Sequence, residues 1–183
     1  MKLFLLILLF TFHANARSLI AFQGEIYTGD EVNSIAGNYG YGLNLATYSS
    51  DDRISFVLGG VLGYASAVGY IDSAEYDMAI YSTDIYLGFA FKPFKKAYLS
   101  PSIELCAMGG YKNIEVTNPP SGEDTNNLAI TSGYKMTFAI DFGKQYRSKF
   151  RIYSDLNQRI APKVSGQSNY NLSSISVGLG IMF

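Results

Sequence analysis

The chain has 183 residues, enough for one domain, with a formal net charge of −1 and a single cysteine, Cys106. That charge balance excludes a polycation built for nucleic acid, and one cysteine excludes an internal disulfide framework. With 15 tyrosines, 12 phenylalanines and 18 glycines but no tryptophan, the composition points to β-structure with many tight turns.

In chain order, the first element is a targeting segment. Met1-Lys2 is a short positive start, Leu3 to Phe12 is almost purely apolar, and Ala14-Asn15-Ala16 is an A-x-A cleavage site. This is the tripartite pattern of a secretory signal peptide over residues 1–16, too short for a spanning helix. No cysteine follows the apolar stretch, so the pattern is not that of a lipoprotein. A single domain over residues 17–183 is expected to remain.

From there the period is two. Tyr39, Tyr41, Leu43 and Leu45 share one face, while Gly40, Gly42, Asn44 and Ala46 share the other. Further on, Leu128, Ile130, Tyr134, Met136, Phe138, Ile140 and Phe142 alternate with Ala129, Thr131, Gly133, Lys135, Thr137, Ala139 and Asp141. A helix cannot sort those sets and a strand must. Eight such segments are predicted, at 19–28, 38–48, 53–65, 79–92, 97–112, 128–143, 150–161 and 171–183. Short connections (49–52, 93–96, 144–149) alternate with longer ones (29–37, 66–78, 113–127, 162–170). That alternation predicts an all-β, closed up-and-down antiparallel transmembrane β-barrel of eight strands. The apolar stretch Phe56 to Ile71 tempts a helix reading, but it holds four glycines and falls short of the ~20 residues a spanning helix needs. Pro101, which removes a ladder donor, lies near the start of its predicted strand, where that loss is smallest.

The position of charge within the alternation decides which face is inside. Glu25, Asp84, Glu104, Lys135, Asp141, Arg151, Asp155 and Arg159 fall on the less apolar face of their strands, with Gln23, Asn44, Asn157, Ser174 and many glycines and alanines. Such a set cannot be a hydrophobic core, but it can be the ion-paired lumen of a membrane barrel. The opposite face, with Ile54, Phe56, Leu58, Leu62, Ile85, Leu87, Phe89 and Phe91, is expected to meet lipid. Ser154 and Gln158 break the pattern in the seventh segment. Aromatic rings gather at the predicted strand ends, as interfacial girdles do. Acidic residues concentrate in the longer loops. Arg53, Lys92, Lys95, Lys96, Lys144, Arg147 and Lys149 mark the turns and their flanks, which suits anionic headgroups of an inner leaflet.

The last residues carry a family resemblance. Ser176, Gly178, Ile181 and Phe183 occur in a run of polar, glycine and alternating hydrophobic residues that ends on phenylalanine. This resembles the assembly signal of outer-membrane β-barrel proteins, with Ile181 standing where an aromatic is frequent. With the signal peptide and eight alternating segments, the mature chain resembles the small OmpA/OmpX-type barrels. The resemblance implies insertion by the barrel-assembly machinery through strand addition, in the outer membrane of a Gram-negative-type bacterium. The partners it implies are outer-membrane lipids and lipopolysaccharide.

Chemistry is limited by what is missing. The one histidine, His13, lies in the predicted signal peptide, so a mature chain has no Ser-His-Asp or Cys-His arrangement and no histidine metal site. Enzymes of similar fold depend on a histidine that this chain does not offer. Asp141 and Asp155, on adjacent strands, are the remaining acid/base candidates, read here as members of an ion network with Lys135, Arg151 and Arg159. Cys106 reads as a small packed residue. The expectation is a protein that is not an enzyme and has no cofactor or metal, acting in envelope integrity or surface contact through its loops. Two alternatives stand beside it: a narrow pore or lateral path for small hydrophobic molecules, motivated by the lumen glycines and alanines, and a soluble secreted ligand-binding barrel with its faces inverted. Deleting Phe183 is expected to lower membrane assembly and leave aggregated or degraded protein in the periplasm. Fractionation and immunoblotting check it, and normal surface levels would make the terminal motif coincidental.

Overall fold

A computed structural model describes residues 16–28, 35–50, 52–71, 74–94, 98–116, 126–143, 148–161 and 170–183. All but the last residue of the expected signal peptide lies outside them, as do the central parts of the expected loops 29–37, 113–127 and 162–170. The strands are β1 (Arg17–Thr28), β2 (Ile35–Tyr48), β3 (Ile54–Ile71), β4 (Ala74–Phe91), β5 (Leu99–Val116), β6 (Asn126–Phe142), β7 (Lys149–Ala161), β8 (Tyr170–Asn171) and β9 (Ser174–Met182). From β1 to β7 each pairs antiparallel with the next, β7 also pairs with both β8 and β9, and β9 pairs with β1, so the ring closes. The short β8 and β9 meet β7 in one unbroken register and form a single stave, interrupted at 172–173. The molecule is therefore an up-and-down barrel of eight staves.

Its geometry follows from the register. From Arg17 the paired residues run Tyr48, Val57, Gly88, Cys106, Lys135, Asn157, Ser174 and back to β1 at Tyr27. The path rejoins β1 ten residues beyond its start. An even offset is required, because an odd one would return an inward residue to an outward position. Eight strands with this stagger, at ordinary spacings, tilt by about 40°. A strand so tilted crosses the hydrocarbon in about 10 residues. β3, β4 and β5 have 18 residues each and so project beyond the bilayer. The segment 66–78, expected as a loop, is largely this extension: β3 and β4 stay paired out to Ile71↔Ala74. The sequence reading lost the strand there because its polarity pattern changes, for the reason given next.

Within the membrane, side chains alternate between apolar outside and polar inside. On β4, Phe91, Phe89, Leu87 and Ile85 point out, while Tyr86, Asp84 and Ser82 point in. Beyond Tyr81 the polarity inverts without any slip of phase: Ile80 and Met78 are buried, and Asp77 is exposed. On β5, Lys112 is the last inward polar residue, followed by buried Ile114 and Val116. Outside, where water replaces lipid as the solvent, the wall resembles an ordinary soluble sheet around an apolar core. That core comprises Tyr27, Ala65, Met78, Ile80, Ile114, Val116 and Leu172.

The change of solvent is marked by aromatics. Tyr39, Tyr41, Tyr81 and Tyr111 are exposed at the outer level. Tyr41, Tyr64 and Tyr81 make tilted ring contacts in sequence across β2, β3 and β4, with ring centroids 5.6 and 5.2 Å apart. Phe91, Phe94, Phe150 and Phe183 are exposed at the turn end, and Phe142 stacks on Phe150 at 6.4 Å. Gly143 leaves β6 at φ +143°, a conformation L residues avoid, and its N–H donates to the Tyr98 carbonyl at 2.9 Å. Ser154 and Gln158 point outward, and Gln158 accepts from the Tyr134 hydroxyl, so the seventh strand keeps its phase. Pro101 pairs with Ile140 of β6 and lies beyond the last β4–β5 pair, Phe91↔Ile103, so no β4 ladder needs its missing donor. Because every backbone ladder is closed within the membrane, unboiled protein in SDS is expected to migrate faster than boiled protein. Identical mobility would mean an open or unfolded sheet.

Candidate functional site

The interior is the place where function can reside, because it gathers nearly all of the chemistry in the spanning region. Glu25, Asp84, Glu104, Lys135, Asp141, Arg151, Asp155 and Arg159 all point inward and are buried. They form three tiers along the barrel axis.

Nearest the turns, Arg151 is the hub. Its Nε donates to Asp141 Oδ1 at 2.6 Å and its Nη2 to Asp141 Oδ2 at 3.2 Å, a two-point grip between cross-strand partners. Nη1 reaches Glu104 Oε1 at 2.5 Å and also donates to the Tyr48 hydroxyl, which itself donates to Glu104 at 3.0 Å. The guanidinium lies 4.9 Å from the Tyr48 ring centre, and Lys92 adds a 3.6 Å ion pair to Asp141.

The middle tier couples one ion pair to an uncharged relay. Lys135 pairs with Asp155, and Thr137 Oγ1 donates to the same carboxylate at 2.7 Å. The ammonium is held between the rings of Tyr86 and Tyr153, 4.9 and 5.6 Å from their centres. Tyr86 donates to Asn44 Oδ1 at 2.7 Å, Asn44 Nδ2 to Tyr153 at 3.1 Å, and Tyr153 to Gln23 Oε1 at 3.1 Å. The glycines opposite these rings are not free space. A methyl added at Gly59 would collide with Tyr86, and one at Gly178 with Tyr153. At these two positions, small residues on one wall accommodate tyrosines from another.

In the upper tier, Arg159 bridges two acids, with Nη1 at 2.8 Å from Glu25 and Nη2 at 3.1 Å from Asp84. Lys112 pairs with Asp84 at 3.4 Å and donates to the Tyr27 hydroxyl. Ser174 donates to Glu25 at 2.5 Å, and Asn157 donates to Ser174 and Ser176. Above this tier lies the apolar core of the projecting sheet.

Three lysines occupy places different from those the sequence reading gave them. Lys112 and Lys92 end their predicted segments and Lys149 flanks a turn, outside the set expected in the lumen, yet all three are buried. Parity carries the signal: Lys112 is in phase with Glu104, Lys92 with Asp84, and Lys149 with Arg151. Their position at segment ends concealed it. Asp141 and Asp155 do not form an acid/base couple, since each is held by its own cation. Cys106 is buried opposite Lys135. Of the terminal motif, Ser176 and Gly178 point into the lumen, while Ile181 and Phe183 are exposed on the outer face. Among the described residues no group of three or more His, Cys, Asp or Glu side chains is placed to hold a metal.

A closed eight-stave ring, apolar outside, ion-paired inside and belted by aromatics, is the fold of small outer-membrane β-barrel proteins. No protein-family model matches the chain, and neither does any curated protein. Among solved structures it is similar to Neisserial surface protein A at 8% identity and a TM-score of 0.59, covering 91% of this chain and 95% of that one. It is similar also to the outer membrane protein OprG from Pseudomonas aeruginosa at 11% identity and 0.59, covering 92% and 96%. At such identities the likeness is one of fold.

The tiers set a clear expectation for stability. Replacing Arg151 by Met leaves Asp141 and Glu104 buried with their main counter-charge gone, which is expected to destabilise the barrel by about 3–5 kcal/mol. Adding Asp141→Asn and Glu104→Gln to that variant should recover much of the loss. Urea unfolding in lipid vesicles measures both, and equal stability of the single and triple variants would mean the charges are not coupled.

Proposed function

We propose that the protein is a non-enzymatic barrel of the outer membrane of a Gram-negative-type bacterium, with a closed lumen that anchors and displays an extracellular β-sheet for surface contact and envelope integrity. The observation that carries this reading is the filling of the lumen. The space bounded by Leu19, Asn44, Tyr48, Tyr86, Glu104 and Arg151 has no room for a water molecule. Opposite charges within each tier neutralise one another, so a permeating ion would have to break several buried pairs. The apolar core above adds a dry barrier of the kind that blocks conduction by dewetting. These features support a plugged barrel over a narrow pore, and an exposed apolar belt with an ionic interior supports membrane insertion over a soluble ligand-binding barrel.

The pairing of the described lumen charges supports a structural rather than a catalytic role for them. Each carboxylate named above is tied to a cation or a hydroxyl, and the space beside Glu104 and Arg151 has no room for a substrate. Assembly is proposed to use the last stave: Phe183 exchanges two 2.9 Å backbone hydrogen bonds with Ser18 where β9 closes on β1. Its side chain faces outward with Ile181, as strand addition by an assembly machine requires. The tyrosine girdle is proposed to settle the barrel against lipopolysaccharide and the outer-leaflet interface. Planar-bilayer recording tests the closed lumen. The expected trace is flat at moderate voltage, and large, stable, ion-selective steps would overturn the reading.

A further inference from the structure

Buried polar atoms without a hydrogen-bond partner gather in the upper tier. Among the described residues there are five, and three of them are Asp84 Oδ1, Thr131 Oγ1 and Arg159 Nε. The other two, the hydroxyls of Ser55 and Ser102, lie at the turn end on β3 and β5. Orphans of this kind are rare in folded proteins, and each calls for a physical reason.

Register brings the three together. Asp84, Gly110 and Thr131 are paired in one row across β4, β5 and β6, and Arg159 pairs with Gly133, two residues from Thr131 on the same inward face. Gly110 lets them converge: a methyl there would collide with Asp84 Oδ1, so that oxygen overhangs the glycine. Arg159 turns its Nη2 to Asp84 Oδ2 at 3.1 Å, and Nε belongs to the same planar group. Lys112 beside them lies 3.4 Å from both Asp84 Oδ2 and the Tyr27 hydroxyl, longer than the usual bond of a charged donor. Gly110 and Thr131 are one strand apart, about 4.8 Å. A tetrahedral centre making two hydrogen bonds of about 2.8 Å spans nearly that distance.

The three atoms also differ in kind. A carboxylate oxygen only accepts, Nε–H only donates, and a hydroxyl does both. Water matches such a set, since buried waters typically make about three bonds to polar groups of this sort. An ion does not match. Arg159 and Lys112 already balance Glu25 and Asp84, so an added charge would be buried without a counter-charge. We infer that the upper tier holds an ordered internal water that accepts from Arg159 Nε, donates to Asp84 Oδ1 and bonds to Thr131 Oγ1. It completes a network tying β1, β4, β5, β6, β7 and β9 together directly beneath the apolar core. The site is isolated from the turn side, because the space beside Tyr86, Lys135 and Tyr153 in the middle tier has no room for a water molecule.

The test is a crystal structure of the full barrel at a resolution that shows single waters, with crystals soaked in rubidium bromide, whose two ions both scatter anomalously. A peak within hydrogen-bonding distance of Arg159 Nε, Asp84 Oδ1 and Thr131 Oγ1, without anomalous signal, is expected. In Thr131→Val, which keeps the shape and removes the hydroxyl, the peak should weaken or vanish and the gel heat-shift should move to a lower temperature. Thr131→Ser should keep both. No peak, a direct Thr131–Asp84 hydrogen bond in its place, or an anomalous peak marking an ion overturns the proposal. So does a Thr131→Val barrel whose peak and heat-shift match those of the parent. If that variant does not fold, the parent structure and Thr131→Ser still decide. Bilayer recording decides the closed lumen separately, because one held water carries no current.

Discussion

In hydrocarbon no water is available to satisfy an N–H or C=O, so every strand crossing it must be paired on both sides. Closure of the ring is that constraint met: β9 returns to β1 and β6 meets β7, leaving no edge within the lipid. Closure also fixes much else. The stagger of ten residues keeps inward residues inward, sets a tilt of about 40°, and leaves an interior narrow enough for side chains to fill. The charged tiers, the glycines beneath the tyrosines and the outward Ile, Leu and Phe belt all follow from one alternating backbone wrapped into one cylinder.

The interior then faces the problem of buried charge. Isolated ions would be prohibitive there, and ion pairs merely offset their desolvation when geometry and hydrogen bonding are good. Arg151 illustrates the arrangement, with two bonds to Asp141, one to Glu104 and a tyrosine ring against its plane. The result favours specificity over raw stability, since only one register brings each cation to its acid. A slip of one residue would turn every one of these charges towards lipid.

The polarity inversion above the girdle shows the same backbone answering to a different solvent. Below Tyr81 and Tyr111 the outside must be apolar; above them it must be polar, and the inside gathers Ile80, Met78, Ile114 and Val116. The phase of the strand never changes. What changes is which side of it water touches. Above the membrane closure is no longer obligatory.

How much of this was legible beforehand follows from which interactions are local. Alternation is local, so the residues alone determined the eight staves, the antiparallel order and the side of each strand on which Glu25, Asp84, Arg151 and the other charges sit. Parity held even through Ser154 and Gln158. Strand ends were not legible at 66–78, because a reader looking for apolar-out alternation loses the pattern where the solvent changes, and Lys92, Lys112 and Lys149, at or beside segment ends, were not recognised as inward by their parity. Pairing across the lumen was not legible at all. Arg159 meets Glu25 from 134 residues away, and Tyr153 fills the space over Gly178 while reaching Asn44, 109 residues distant. Such contacts depend on the stagger of the closed ring, a property of all eight staves together. The sequence by itself determined which way each side chain points; only the closed tertiary structure decided what it meets there.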